Sequence, residues 1–259
     1  NMRAEAHFLT LSATPIPRTL NLALSGLRPI SVIETPPVGR LPIETILTPF
    51  SEEIVVKAIH EELDRGGQVY YLHNKVETID AVATRLAESC KKIPPPRGGR
   101  LGGGGHLITH PSPLPSREGN VSMAVLHGQL PEKTIAEVMR DFDAGKIDVL
   151  VCSTIIENGL DLPNVNTLIV ENATDYGLSQ LYQIRGRIGR GFRQGRAYLL
   201  YDRQKLDGLA KTRLTALDEA RELGAGFEIA RRDLEIRGVG GILSRQQHGQ
   251  VKTIGLALY

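Results

Sequence analysis

The chain has 259 residues, of which 41% are hydrophobic and 23% charged, and its net charge is +2. That length buries a sizeable core without disulfides, and the balance excludes a collagen, a coiled coil and a wholly disordered chain. It holds no apolar run of the roughly 18 residues a membrane span needs, and residues 1–7 lack a basic-then-apolar leader, so the expectation is a cytoplasmic protein without a membrane partner.

Residues 8–11 read as the end of an apolar strand, and residues 12–19 as a turn in which Pro15 and Pro17 keep the preceding residues extended. A chain that opens on one short strand leaves an orphan edge, which suggests a piece of a longer protein. From Ser51 the pattern alternates. A helix carries the stripe Ile54, Val55, Ala58, Ile59 and Leu63 and stops at Gly66-Gly67. Residues 68–72 are a strand of β-formers, and Val76, Ile79, Val82, Ala83 and Leu86 recur at helical spacing. Residues 94–119 break the pattern: 7 Gly and 6 Pro in 26 positions, without periodicity, read as a disordered insertion. Residues 121–126 are a strand, and Pro131 opens a helix faced by Ile135, Val138, Met139 and Phe142. Residues 147–152, 167–170 and 197–201 are strands, with a short helix at 178–184. Apolar strands alternating with helices predict an α/β fold, a doubly wound parallel sheet with helices on both faces. After Tyr201 the strands stop. A helix from Leu206 to Leu223 is broken at Gly224-Ala225-Gly226, a shorter one spans 227–236, and a Gly- and Gln-rich loop follows.

Two cysteines, Cys90 and Cys152, have neither metal-ligand nor disulfide-framework spacing and read as buried thiols in a reducing compartment. The charge is uneven. Residues 185–252 carry +7 and the remainder −5, so the basic third points either to a polyanion partner or to a solvated face.

The most specific motif is Gln183-Ile184-Arg185-Gly186-Arg187-Ile188-Gly189-Arg190, which fits Q-x-x-G-R-x-G-R. Its glycines let a backbone approach phosphate, and Arg187 and Arg190 can hold the spread charge of a transferring γ-phosphoryl group. This is arginine-finger chemistry, worth about 10³–10⁵ in rate. The stretch Ser153 to Asp161 follows the strand ending at Cys152, and ligands of open α/β sheets bind beyond the carboxyl ends of strands. There Thr154 can hold a nucleic-acid phosphate, and Gly159 and Asp161 can reach a nucleotide. His73-Asn74 and His127-Gly128 end two other strands. Singly each is an ordinary turn, but with Thr154 they would line one rim, a track for a phosphate backbone. No G-x-x-x-x-G-K-[ST] occurs, since Arg140 stands where the first glycine before Gly145-Lys146 should be, and no acidic quartet follows an apolar strand. Finger residues without a phosphate loop suggest half of a bipartite ATPase.

Ser12-Ala13-Thr14, residues 154–161 and residues 183–190 resemble, in order, three motifs of the superfamily-2 helicases. Residues 13–19 are similar to the RecG-like branch, and Asp233-Leu234-Glu235-Ile236-Arg237-Gly238 resembles that branch's translocation module. Residues 68–74 and 224–227 look more like its transcription-repair coupling factors; residues 94–119 depart from the family. The resemblance implies a remnant of a first RecA-like lobe at 1–27, a connection at 28–50, a second RecA-like lobe at 51–204 and a translocation hairpin and loop at 205–259. It implies ATP and Mg²⁺ between two lobes, faced on this side by Gly159, Asp161, Gln183, Arg187 and Arg190. It further implies double-stranded DNA across both lobes and coupling of hydrolysis to movement by Arg213, Arg237 and Gln247. RNA polymerase and excision-repair proteins would be engaged through regions outside this chain, which alone is expected to hydrolyse no ATP. A RecG-type fork-remodelling helicase shares the motor. A free-standing nucleic-acid-binding module would explain the basic third but not the run at 183–190.

Overall fold

Strands that are apolar at every position, such as residues 149–152, need cover on both faces of their sheet. The computed structural model supplies it; it describes residues 11, 31, 33, 41–93, 121–153, 164–189, 193–220 and 225–243, and only the backbone of 237–243. Among these residues, strands β1 (Glu44–Pro49), β2 (Gln68–Leu72), β3 (Met123–Leu126), β4 (Val149–Cys152), β5 (Val165–Val170) and β6 (Arg196–Tyr201) form one parallel sheet in the order β1-β6-β5-β2-β4-β3. The helices are α1 (Glu52–Asp64), α2 (Ile79–Lys92), α3 (Glu132–Asp143), α4 (Leu178–Arg185), α5 (Gly208–Glu219) and α6 (Gly226–Leu243).

Alternation along the strands divides the core in two. Val69, Tyr71, Val149, Val151 and Ile169 meet Val55, Val56 and Ile59 of α1 and Ile79, Val82 and Leu86 of α2. On the other face Tyr70, Leu72, Leu150 and Leu168 meet Phe142 of α3, Leu181 of α4 and Leu214 and Leu217 of α5. This is the expected doubly wound α/β architecture, a parallel sheet covered by helices on both faces. Phe142 is fully buried, its ring centroid 5.4 Å from that of Tyr70. Cys90 and Cys152 are free and buried, and burial pushes the Cys90 thiol up to about 11.

Two segments differ from expectation. The end of the presumed connection, residues 44–49, is an edge strand in full parallel register with β6; its mixed composition and half-exposed side chains hid it. The glycines at 238, 240 and 241, read as loop, continue α6 to Leu243. A helix tolerates glycine at about 1 kcal/mol each, so tertiary context can override the propensity. The insertion 94–119 lies outside the described residues.

From β2 the chain moves through β3 to β4 on one side, then crosses β2 to β5 and β6 on the other. The β2/β5 boundary is therefore the topological switch point, where open α/β sheets place their ligand crevice.

Candidate nucleotide and nucleic-acid sites

At the carboxyl ends of the strands the backbone itself sets the order of the rim. Ser153 N–H donates to Leu126 O (3.1 Å), His73 N–H to Cys152 O (2.9 Å) and Glu171 N–H to Leu72 O (3.1 Å). Residues 127, 153, 73 and 171 therefore follow one another across the sheet. Leu130 N–H donates to His127 O at 3.1 Å and closes a turn that exposes Gly128. Asn74 is exposed and His127 half-buried, its Nδ1 buried without a partner. His73 is only 7% exposed, and both its ring nitrogens are engaged, with Glu171 and with Thr78. Thr154 lies outside the described residues, one position beyond Ser153.

The Gln183–Arg190 run sits at the opposite edge. Helix α4 leaves the carboxyl end of β5 and runs back along it, so its last turn lies beside the strand's start. Arg187 N–H donates to Ile184 O (3.0 Å), and Gly189 N–H to Val165 O (3.3 Å), at the first residue of β5. Gly189 has φ +64°, and a Cβ there would lie 3.2 Å from Gly195 Cα and 3.2 Å from Gly195 N. The conformational freedom of Gly189 thus serves a backbone-to-backbone approach that shuts the turn on itself. Gly195 is pinned to β1 by Glu44 N–H (2.9 Å), and Arg65 Nη1 donates to Gln194 O at 3.4 Å. Ile188 is fully buried beneath the turn, while Gln183 and Arg187, four residues apart, are half-exposed. Arg190, Gly159 and Asp161 lie outside the described residues.

Arg185, one of the variable positions of the run, has a different task. It is 4% exposed; its guanidinium donates to Leu217 O (2.9 Å), Ala220 O (2.6 Å) and Thr45 Oγ1 (3.1 Å) and lies 5.2 Å from the Tyr182 ring centroid. It thereby caps the carboxyl end of α5, satisfying carbonyls that the helix itself leaves without donors. Burial pulls its pKa below the usual arginine value, against Tyr182 and Asp218, which raise it. Its place at an x of Q-x-x-G-R-x-G-R sets it apart from Arg187 and Arg190, but nothing in the sequence names its acceptors.

The helical pair α5–α6 packs on α4. Arg213 is half-buried and donates to Tyr176 O (3.0 Å) and Thr174 O (3.4 Å), fastening α5 to the short turn after β5. Asp233 is 3% exposed and accepts from Ser179 Oγ at 2.8 Å. Arg237 is in α6, and Gln247 lies outside the described residues. Several arginines of the basic third are paired: Arg232 with Glu219 (2.5 Å) and Glu228 (3.2 Å), Arg231 with Glu228 (2.9 Å), and Arg196 with Glu61 (2.8 Å) and Glu44 (3.3 Å). Among the described residues no group of three His, Cys, Asp or Glu could hold a metal ion. No described helix is long and apolar enough to cross a membrane.

Residues 110–191 match the model of the helicase conserved C-terminal domain. The whole chain is 44% identical to part of the transcription-repair-coupling factor of Escherichia coli K12 and 45% identical to part of that of Bacillus subtilis 168, spanning 20% of each. Among solved structures, RecG bound to a three-way DNA junction aligns with 88% of this chain and 27% of its own, at 29% identity and a TM-score of 0.64. The Mycobacterium smegmatis helicase Lhr bound to ssDNA and AMP-PNP aligns with 80% of this chain and 26% of its own, at 19% identity and a TM-score of 0.52, a likeness of fold.

Proposed function

We propose that this chain, which is 44–45% identical along its length to part of two transcription-repair-coupling factors, matches the helicase conserved C-terminal domain over residues 110–191 and is similar in fold to RecG, is the second motor lobe of an ATP-dependent double-stranded DNA translocase. The observation that carries the reading is the separation of two edges. The rim of Asn74, His127 and Gly128 stands at one end of the parallel strands, and the pinned turn of Arg187 at the other. The rim, with Thr154, takes the DNA backbone, and His73 serves through the turn it holds. The Arg187 turn, with Arg190, Gln183, Gly159 and Asp161, faces ATP bound against a first lobe. That lobe supplies the phosphate loop and the carboxylates for Mg²⁺.

The chemistry follows from charge. As the γ-phosphoryl group transfers, negative charge spreads over its oxygens, and a guanidinium held by a rigid turn stabilises that spread without reorganising. Ile188 and the Gly189–Gly195 contact provide the rigidity. The hairpin of α5 and α6 then turns lobe closure into movement along DNA through Arg213, Arg237 and Gln247. Residues 1–27 belong to the first lobe, 28–50 form the connection, whose strand β1 pairs with β6, 51–204 are the second lobe, and 205–259 are the hairpin and loop. Displacement of stalled RNA polymerase and contact with excision-repair proteins fall to regions outside this chain. The likeness to RecG supports a second reading, a fork-remodelling motor of the same build.

The test is hydrolysis. The chain alone should show no DNA-stimulated ATP hydrolysis, and joining it to its first lobe should restore turnover. Arg187→Ala in the joined protein should lower kcat by about 10²–10⁴. Wild-type turnover in that variant would remove Arg187 from the site.

A further inference from the structure

The turn after β2 is held from behind by a series of side chains drawn from four elements. His73 Nδ1 meets the Glu171 carboxylate, and His73 Nε2 lies 2.7 Å from Thr78 Oγ1. For a neutral imidazole Nδ1–H donates to the carboxylate, and the Thr78 hydroxyl, which also lies 3.4 Å from Lys75 O, donates its one proton over the shorter 2.7 Å contact to Nε2. The His73–Thr78 bond, together with Thr78 N–H donating to Lys75 O at 3.2 Å, closes residues 73–78 into a ring from which Asn74 and Lys75 project, both exposed. Behind His73, Glu171 at the end of β5 accepts from Arg85 Nη2 of α2 at 3.1 Å. Arg85 Nε is 3.7 Å from Glu52 of α1, whose carboxylate accepts from Ser89 Oγ at 2.6 Å. The neighbouring His73 and Arg85 hold the Glu171 carboxyl below its ordinary range although burial pushes the other way.

A bare carboxylate at the rim would repel a phosphate. Glu171 is instead covered, its side chain 11% exposed, with His73 and Arg85 on its two oxygens. The network sits at the topological switch point and spends its hydrogen bonds on the geometry of one short turn. Resting on the reading that this rim takes a DNA backbone, we infer that Thr78, Glu171 and Arg85 are positioning residues, fixing the Asn74-Lys75 turn through His73 so that it meets a nucleic-acid phosphate. Because Thr78 is exposed and touches the rest of the lobe through this bond, it tests positioning without disturbing the core.

The experiment measures fluorescence anisotropy of a labelled DNA duplex with the 259-residue protein, comparing Thr78→Val, Thr78→Ser, the rim deletion Asn74→Ala/Lys75→Ala, and that deletion combined with Thr78→Val. Thr78→Val should keep the melting temperature and weaken binding about fivefold, the effect of one hydrogen bond, and Thr78→Ser should restore it. In the rim-deleted background Thr78→Val should change nothing, because residues acting through one another are not additive. If rim deletion weakens binding while Thr78→Val leaves it unchanged, or weakens it equally in both backgrounds, the positioning role is wrong and the rim stands. If rim deletion leaves binding at the wild-type level, or the wild type binds no duplex, the rim reading falls and the positioning role with it.

Discussion

Two glycines separate backbone strain from backbone contact, and comparing their alanine variants tests how the Arg187 turn is held. Gly145, after α3, has φ +70° and nothing within 4 Å of an added Cβ. Gly145→Ala should therefore cost only the left-handed conformation, about 1–2 kcal/mol. Gly189 has a similar φ of +64°, but its added Cβ would lie 3.2 Å from both Cα and N of Gly195. Neither atom can rotate away, and Gly195 O is fixed by Glu44 N–H at 2.9 Å. Relief requires moving the junction of β1 and β6, an overpacking cost of about 1–3 kcal/mol beyond the strain. Urea unfolding followed by circular dichroism should show Gly189→Ala losing more than Gly145→Ala by that difference, at an unchanged m-value. Equal losses would mean that the Gly189–Gly195 contact is not felt and the turn is not rigid for the reason given.

Other consequences follow from the same interactions. Arg185→Met should destabilise the protein by about 2–4 kcal/mol in urea because two terminal carbonyls of α5 lose their donor, and Arg185→Lys should recover little of it, lacking the fork that reaches both; full stability in either variant would remove the clamp. Acid stability should fall in two stages. Burial lowers the His60 pKa from 6.5, against the opposing effect of Asp64, so the folded state binds the proton less well than the unfolded one, and stability falls as pH drops through that region. Glu171 is lowered from 4.5, so its contribution is present above that value and is lost as pH falls through its lower folded pKa. A profile of melting temperature against pH should accordingly lose its lower stage in Glu171→Gln, and retention of that stage would assign it elsewhere. Arg213→Ala in the intact motor should abolish displacement of a triplex third strand while ATP hydrolysis persists; a proportional fall of both would place Arg213 in folding or in the ATPase.

The strands buried on both faces were legible because their side chains announce it: residues 149–152 are Val, Leu, Val and Cys, all fully buried. β1 was not, because an edge strand carrying Glu44, Thr45 and Pro49 has the composition of a loop. The rim and the arginine run were recognisable by residue type and position, but their placement at opposite ends of the sheet depends on α4 running back along β5. What local sequence could not convey was where long-range partners stand. His73 looked like an exposed turn residue because Glu171 is 98 positions away, and Arg185 looked like one more basic residue because its acceptor Leu217 is 32 positions on. The anchoring of Arg213 is hidden from local sequence for the same reason: its two carbonyl acceptors are supplied by a turn 37 and 39 positions earlier.

On the proposed reading one sheet serves DNA at one end and nucleotide at the other. The direct measurement is steady-state ATP hydrolysis of the intact motor as a function of duplex concentration, for wild type, Arg187→Ala and Asn74→Ala. Arg187→Ala should lower kcat at saturating DNA and leave the half-saturating DNA concentration unchanged. Asn74→Ala should raise that concentration severalfold and leave kcat unchanged. If both variants shift both parameters alike, or if Arg187→Ala alters only the response to DNA, the two edges do not divide the work and the account is contradicted.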